Sequence, residues 1–486
     1  MLFNSYIFIL LFLPLCLSGY FLLNKFGKYT ASQIFLLLMS LWFYGYSNPK
    51  YVLLIVFSVM SNYVFYLLLR QNSTRPVLVA GLLMNIGLLV YFKYTDFFIA
   101  GINMAFKADF NLLHVMLPLG ISFFTFQQVG FLVDSYRGEV PKYGLLQYAS
   151  YVTYFPQLIA GPIVTHDELI PQFLDEKKKK LDWENLAKGI YLFTLGLSKK
   201  VLIADIFGKA VDWGYSSYPD LYSIESIAVI LSYTFQIYFD FSGYCDMAVG
   251  IAKMMNIDIP VNFNSPYKSL TITEFWDRWH MTLTRFLTKY VYIPLGGSRK
   301  GVLRTYLNVL IVFLISGFWH GAGLNFILWG LMHGIFSVIT RRHKSFLEGL
   351  HPALNFLLMF VFLNVTYVFF RADSCSQAVG IFRSILNFRF RDFPWEFVKS
   401  FNMPEIDLVI DSRIVSALAI PLSSLRRLKV CLFFLVSFLI VLGSRNSLER
   451  TNDFVPTRTK LCSTAILMAT CICSFSGIST FLYFNF

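Results

Sequence analysis

Two histidines, His320 and His333, lie in a 36-residue stretch, Thr305 to Thr340, that contains no Asp, Glu, Lys or Arg. Each is set among glycines, in Gly317-Phe318-Trp319-His320-Gly321-Ala322-Gly323 and Trp329-Gly330-Leu331-Met332-His333-Gly334. An ionisable side chain inside an apolar run of membrane length is a candidate functional group. Imidazole titrates near neutrality, so it can take the proton of a hydroxyl as that hydroxyl attacks an acyl carbon. A dry cavity favours the neutral, basic ring. The competing role is a histidine that bonds carbonyls freed where a helix breaks. The pattern favours chemistry for His320 and the structural role for His333. Trp319 adjoins His320, and Asn325 is close enough in sequence to offer a hydrogen bond, which spacing alone does not establish.

Other residues could line the same site. Thr271-Ile272-Thr273-Glu274 is a capping box that starts a helix. Ile272, Phe275, Trp276, Trp279, Leu283, Phe286, Leu287 and Tyr290 then share one helical face, opposite Glu274, Asp277, Arg278, Arg285 and Lys289. This reads as a helix lying in the membrane interface, with His280 at the edge of its apolar stripe. An interfacial histidine is expected, and an inward-pointing one is the alternative. Between Ser226 and Ala252 the only charges are Asp240 and Asp246, on either side of Gly243. They suggest a bend lining a polar cavity, with Arg278 or Arg285 as an ion-pair partner. Pro118-Leu119-Gly120 and Phe155-Pro156…Gly161-Pro162 mark broken or kinked spans. No GxSxG, P-loop, GxGxxG or HExxH is present, and no histidine is followed five residues later by Asp. That leaves direct transfer or an acyl-histidine rather than an acyl-serine. Cys16, Cys245, Cys375, Cys431, Cys462, Cys471 and Cys473 are scattered without a CxxC, and read as buried free thiols with no metal site.

The elements that must position these residues follow from composition. The 486 residues are 56% hydrophobic and 18% aromatic, and only 14% are charged, against about 25% in a soluble domain. This excludes a disordered chain, a coiled coil or a small disulfide scaffold, and argues against a soluble enzyme. Apolar runs fall near 5–23, 31–46, 51–69, 77–92, 112–132, 145–164, 186–206, 226–252, 305–340, 353–370, 430–443 and 461–484. The expected fold is an all-α polytopic membrane protein with roughly 11 or more transmembrane helices, some broken or re-entrant. As one helix, the 305–340 run would be about 54 Å long against a hydrocarbon core of about 30 Å, so it must break, and the glycines around His320 mark the place. The 226–252 run is also too long for one simple span. The net charge of +13 is read as a topology and lipid signal rather than nucleic-acid binding. Lys25, Lys28, Arg70 and Arg75 put the N-terminus outside the cytoplasm. Most of the larger basic clusters (Lys177 to Lys180, Arg299/Lys300/Arg304, Arg341/Arg342/Lys344 and Arg426/Arg427/Lys429) are then expected inside it. Met1 to Leu23 lacks a basic start and reads as a retained span. The chain is taken as one domain, 1–486, with N-terminal spans 1–110, a catalytic core 111–345 and C-terminal spans 346–486. Arg371 to Arg413 is expected to be an extramembrane loop.

Several segments recur in a specific order. They are Met1-Leu2-Phe3-Asn4-Ser5, Pro118-Leu119-Gly120-Ile121-Ser122-Phe123-Phe124-Thr125-Phe126-Gln127 and Phe155-Pro156-Gln157-Leu158-Ile159-Ala160-Gly161-Pro162. Asp240-Phe241-Ser242-Gly243-Tyr244, Asn262-Phe263-Asn264-Ser265-Pro266-Tyr267 and Thr273-Glu274-Phe275-Trp276-Asp277-Arg278-Trp279-His280 follow. Tyr292-Ile293-Pro294-Leu295-Gly296-Gly297 and Phe318-Trp319-His320-Gly321-Ala322 come last. This order resembles the membrane-bound O-acyltransferase superfamily, in particular the bacterial branch that holds the membrane subunit of alginate O-acetylation. The resemblance implies that His320 is catalytic and His280 a second site histidine. His333 matches a further family histidine, and Asp240, Asp246, Asn325 and Trp319 are candidates to line the site. It implies a central funnel or tunnel, no resident cofactor, and a cytoplasmic acyl thioester (acetyl-CoA or an acyl carrier protein) as donor. The acyl group, acetyl by expectation, would pass to hydroxyls of an extracytoplasmic polysaccharide through a partner acetyltransferase of the SGNH class. The place implied is the bacterial cytoplasmic (inner) membrane. Peptidoglycan O-acetylation and D-alanyl transfer to teichoic acid are the alternatives within the family. A transporter with a proton-relay histidine is the alternative from another class, but no internal repeat supports it.

Overall fold

The computed structural model describes residues 1–412, 421–475 and 481–482. Among them the only β pairing is an isolated bridge between Phe263 and Trp279. Among the described residues, six helical stretches are long and apolar enough to cross a membrane: Phe8–Lys25, Lys50–Gln71, Arg75–Phe106, Val302–His320, Leu324–Arg342 and Pro352–Arg371. The other apolar runs form helices that are shorter or more polar.

The chain begins with a π-helical turn, Phe8–Phe12, leading into α1 (Leu13–Lys25). Next come α2 (Tyr29–Gly45), α3 (Lys50–Gln71) and α4 (Arg75–Phe106). The 77–92 apolar run underestimates α4, which continues for 32 residues, about 48 Å. Lys93, where the run stops, is therefore inside the helix and not at its end.

Then the chain breaks repeatedly, as the Pro/Gly motifs predict, into α5 (Ile121–Tyr136), α6 (Leu145–Thr153), α7 (Phe155–Leu158) and α8 (His166–Leu174). The two motifs meet. Gly120 has φ +72°, and a Cβ there would stand 2.6 Å from the Leu158 carbonyl oxygen. Only glycine meets both demands.

The bundle centre is a pair of helices, α9 (Trp183–Ser198) and α11 (Ser223–Met254), linked through a π turn, Lys199–Ala204, and α10 (Asp205–Ser216). The expected bend in 226–252 is absent, and α11 is one helix of 32 residues, buried on nearly every side. Its glycines serve close approach instead. A Cβ on Gly196 would lie 2.5 Å from the Gly243 oxygen, and one on Gly189 would lie 2.6 Å from the Gly250 oxygen. Small residues let the two backbones touch where lipid gives no hydrophobic drive. The two acids are neutralised locally. Lys199 Nζ is 2.6 Å from Asp246, and Lys200 Nζ is 2.6 Å from Asp240 and 2.8 Å from Asp205. The expected arginine partners are engaged elsewhere, Arg278 with Glu274 at 2.9 Å and Arg285 with Glu168 at 2.5 Å.

The 271–290 segment is not one interfacial helix. It forms α12 (Ile272–Trp276) and α13 (Met281–Leu287), separated at His280, whose φ of +46° is left-handed. The 305–340 run breaks where the glycines predict, into α14 (Val302–His320) and α15 (Leu324–Arg342). The two helices pack as a hairpin. A Cβ on Gly317 would lie 2.4 Å from the Phe326 oxygen, and one on Gly330 would lie 2.4 Å from the Phe313 oxygen.

The short α16 (Lys344–Glu348) leads into α17 (Pro352–Arg371). The 371–413 segment is less of a loop than its polarity suggests, because it folds α18 (Cys375–Leu386), α19 (Trp395–Ser400) and α20 (Pro404–Ile410). Its Asp392, Asp407 and Asp411 pair with Arg427, Lys429 and Arg426 of α21 (Leu422–Phe438). That basic cluster is thus tied to the end of α17, near Asn325, and so to the end of the bundle opposite Arg341 and Arg342. α22 (Ser447–Asn452) and α23 (Arg458–Cys473) complete the described bundle. Of the cysteines, all free, only Cys16, Cys245 and Cys471 are buried, whereas Cys431, Cys462 and Cys473 are exposed. Apolar thiols on outward helix faces suit a lipid surface as well as a core.

Candidate active site

His320 is the last residue of α14 and is buried, at 3% exposure. Its Nδ1 is 2.7 Å from the Ser316 carbonyl oxygen, one turn back. A carbonyl only accepts, so Nδ1 carries the proton, and Nε2 of the neutral ring holds the basic lone pair. Trp319, Trp329 and Phe370 surround the ring at 4.9, 5.0 and 5.3 Å between centroids.

His280 is fully buried, which overturns its expected interfacial place. The break between α12 and α13 turns it inward. Its Nδ1 is 3.1 Å from Asn262 Oδ1. That oxygen also accepts the Thr282 backbone N–H at 3.2 Å and hydroxyl at 3.0 Å. His280 therefore has the same tautomer as His320. Both rings flank Trp319, His280 at 6.2 Å. The Trp319 indole N–H donates to the Ser122 carbonyl at 3.4 Å.

His333 is held differently. Its Nε2 is 3.1 Å from Thr366 Oγ1, whose own hydroxyl donates to the Leu363 carbonyl at 3.0 Å. Nε2 is then the protonated nitrogen, and the bond ties α15 to α17. Trp329 separates His333, at 4.7 Å, from His320. Asn325 does not serve His320. Its amide donates to the Ala372 and Phe369 carbonyls at 2.8 and 3.2 Å, closing the hairpin turn onto the end of α17. Asp246 is held by Lys199 and Ser447, while Asp240 stands behind Lys200, which itself lines the outer cavity described next.

Three cavities approach the α14–α15 turn. The largest, about 1090 Å³, has a mixed polar and apolar lining that includes Lys200, Asp205, Ala322, Gly323, Asn325 and Arg371. A second, about 260 Å³, is mostly apolar and runs beside α13 from Ser316 to Arg341. The first opens at the end of the bundle that carries α18–α20, the second towards the basic end of α15. A third, small cavity of about 20 Å³ is lined by His320, Trp319, Lys93 and the start of α5. That is room for about one water-sized group. Lys93 and Asn262 were not singled out in the sequence. A lone lysine between Arg75 and Asp96 was signal enough, but Lys93 fell at the apparent edge of an apolar run.

The fold and this centre define a multi-pass helical membrane protein with buried, oriented histidines beside the α14–α15 turn, which cavities approach. Comparison with known proteins gives the class. The MBOAT, membrane-bound O-acyltransferase, family profile matches residues 112–342. The chain is 44% identical over 420 residues to the peptidoglycan O-acetyltransferase of Helicobacter pylori, covering 79% of this chain and 80% of that protein. It is 35% identical over 400 residues to the probable alginate O-acetylase AlgI of Pseudomonas aeruginosa, covering 80% and 75%. It is also 29% identical over 233 residues to the teichoic acid D-alanyltransferase of Streptococcus thermophilus, covering 46% and 56%. The chain belongs to the membrane-bound O-acyltransferase family and is an acyltransferase of the membrane.

Proposed function

We propose that this enzyme moves an acetyl group from a cytoplasmic thioester to hydroxyls of a cell-envelope glycan, with His320 as the base. The observation that carries this reading is the place of His320. It sits at the α14–α15 turn, where Ser316, which accepts from its Nδ1, lines the apolar slot and Ala322 and Gly323, just beyond it, line the wide cavity. A thioester arm fits the apolar slot, and its anionic carrier end meets the Arg341 side. A hydroxyl from the outer cavity attacks the thioester carbon while Nε2 takes its proton. The C–S bond then breaks, and the thiolate recovers the proton from the imidazolium. His280, which also packs against Trp319, supports the same centre. The bond from His333 to Thr366 supports a structural role for that residue.

Among acceptors, peptidoglycan is favoured over alginate, because the peptidoglycan O-acetyltransferase is the more similar relative over the same share of the chain. D-Alanyl transfer is less favoured, since those relatives align over less than half of it. A wide outer cavity suits delivery to an extracytoplasmic partner acetyltransferase, and the inner membrane of a bacterium is the corresponding location. The test is transfer of label from radiolabelled acetyl-CoA into the envelope fraction by membranes carrying wild type or His320→Ala. Labelling by wild type alone is expected. Normal labelling by a folded His320→Ala protein would sink the proposal, and labelling only from an acyl carrier protein would replace CoA as the donor.

A further inference from the structure

Lys93 is an ionisable residue near the middle of the membrane-spanning α4, and belongs to no motif considered above. Its Nζ donates to the carbonyl of Trp319 at 2.6 Å and to that of His320 at 3.0 Å. The next residue, Tyr94, donates its hydroxyl to the Phe318 carbonyl and stacks on the Phe318 ring at 4.2 Å. The Gly321 N–H reaches the Gly317 carbonyl at 3.4 Å. The last four carbonyls of an α-helix have no partner within the helix. In α14 three of those four are satisfied from outside, all by two consecutive residues of α4.

A helix that stops at membrane depth needs donors there, because no bulk water reaches it. Neutral donors would suffice for that alone. An ammonium in a span is costly, and among the described residues no carboxylate lies within 4.0 Å of Lys93. The Lys93 donors sit instead at the negative end of the α14 dipole. Lys93 also lines the same small cavity as the His320 ring. The residue it caps is the histidine itself, so the cap sets the height and angle of the ring.

We infer that Lys93, assisted by Tyr94, is a positioning residue for acyl transfer. It pins the end of α14 so that His320 faces the reacting carbonyl, and brings N–H donors, positively charged when the amine is protonated, to the cavity where the acyl oxygen becomes negative. This rests on His320 being the base. The N-terminal helices are then part of the catalytic apparatus through α4.

The experiment measures initial rates of label transfer against acetyl-CoA concentration, in membranes carrying wild type, Lys93→Met, Lys93→Arg and Tyr94→Phe. Thermal unfolding of each purified protein is followed by tryptophan fluorescence. Lys93→Met should lower kcat on the order of 10²-fold. Its KM for acetyl-CoA should stay within about twofold, because the carrier end of the donor is bound elsewhere. Lys93→Arg, which keeps charge and donors, should restore most of kcat. Tyr94→Phe keeps the stacked ring and should lower kcat severalfold at unchanged KM. Wild-type kcat in a folded Lys93→Met protein overturns the inference, as does a loss expressed only in KM. If Lys93→Met does not fold, Tyr94→Phe decides, and wild-type kcat there overturns it. A silent wild type would refute the proposed donor instead, which keeps the two failures distinct.

Discussion

Asn262 is the most informative residue to perturb, because one oxygen serves three donors. Its Oδ1 accepts from His280 Nδ1, the Thr282 N–H and the Thr282 hydroxyl. Asn262→Ala removes that oxygen inside a region where His280 and Thr282 are almost fully buried. The hydroxyl can rotate and still accepts the Ile163 N–H. The Thr282 N–H and the His280 Nδ1–H are then left without this acceptor, at about 1–3 kcal/mol each, so the loss is about 2–6 kcal/mol. A water in the vacated space would satisfy one of them and bring the value towards the lower end. The left-handed backbone of His280 (φ +46°) adds about 1–2 kcal/mol of strain that this network normally offsets. In catalysis, the freed ring should cost on the order of 10²-fold in kcat. The assay is a double-mutant cycle of Asn262→Ala and His280→Ala on label transfer, with unfolding measured in parallel. If Asn262 acts through His280, the double variant should be no slower than His280→Ala alone. Multiplicative rate losses would refute this reasoning and give Asn262 a separate role.

Gly243→Ala forces a Cβ towards the Gly196 oxygen, which is 2.7 Å away and on backbone that cannot rotate aside. It should cost about 1–3 kcal/mol, whereas Gly87→Ala, with nothing within 4 Å, should be neutral or stabilising. Equal melting temperatures for the two would contradict the close helix seam. Arg341→Gln should raise the KM for acetyl-CoA severalfold at unchanged kcat, if the inner slot holds the donor. A change confined to kcat would remove the slot from that role. Burial raises the Asp258 carboxyl, but hydrogen bonds from Lys178 and Lys253 outweigh it and hold the group below its ordinary value. Its stabilisation is therefore fully present above an unfolded carboxylate value of about 3.9 and is lost as pH falls through the lower folded value. Asp258→Asn should lower the melting temperature near neutrality and converge with wild type in acid, and a gap independent of pH would count against the pairing.

Sequence patterns carried the helical membrane architecture and the family because both rest on local signals. Apolar length marks a span, and glycine and proline mark a break, as at Gly321–Gly323 and at Pro118–Gly120. Three features resisted that reading, each for a tertiary reason. Gly243 looks like a bend but is a contact with Gly196, which lies 47 residues earlier in the chain. Helical periodicity placed His280 at the rim of an amphipathic helix, since a left-handed residue that resets the phase leaves no trace in a hydrophobic pattern. The partners of Asp240 and Asp246 were sought in the conspicuous arginines of the next motif. The lysines that neutralise them sit in a π turn that packs directly on α11.

The three histidines differ chiefly in which nitrogen is committed. His320 and His280 each commit Nδ1, to a backbone carbonyl and to a carboxamide oxygen, and a group so held keeps one tautomer. His333 commits Nε2, to a hydroxyl whose proton is already directed elsewhere. Trp319 and Trp329 pack against the rings. The position in the helix then separates the roles. His333 lies mid-helix, where every backbone carbonyl around it is used by α15 itself, so its side chain can only tie one helix to the next. His320 ends its helix, where the carbonyls need outside donors and the side chain borders a cavity. A helix end inside a membrane is expensive to build, and α4 supplies the donors that make this one possible. On the proposed function, the turn is what lets His320 border a cavity, as a residue on an uninterrupted span would not.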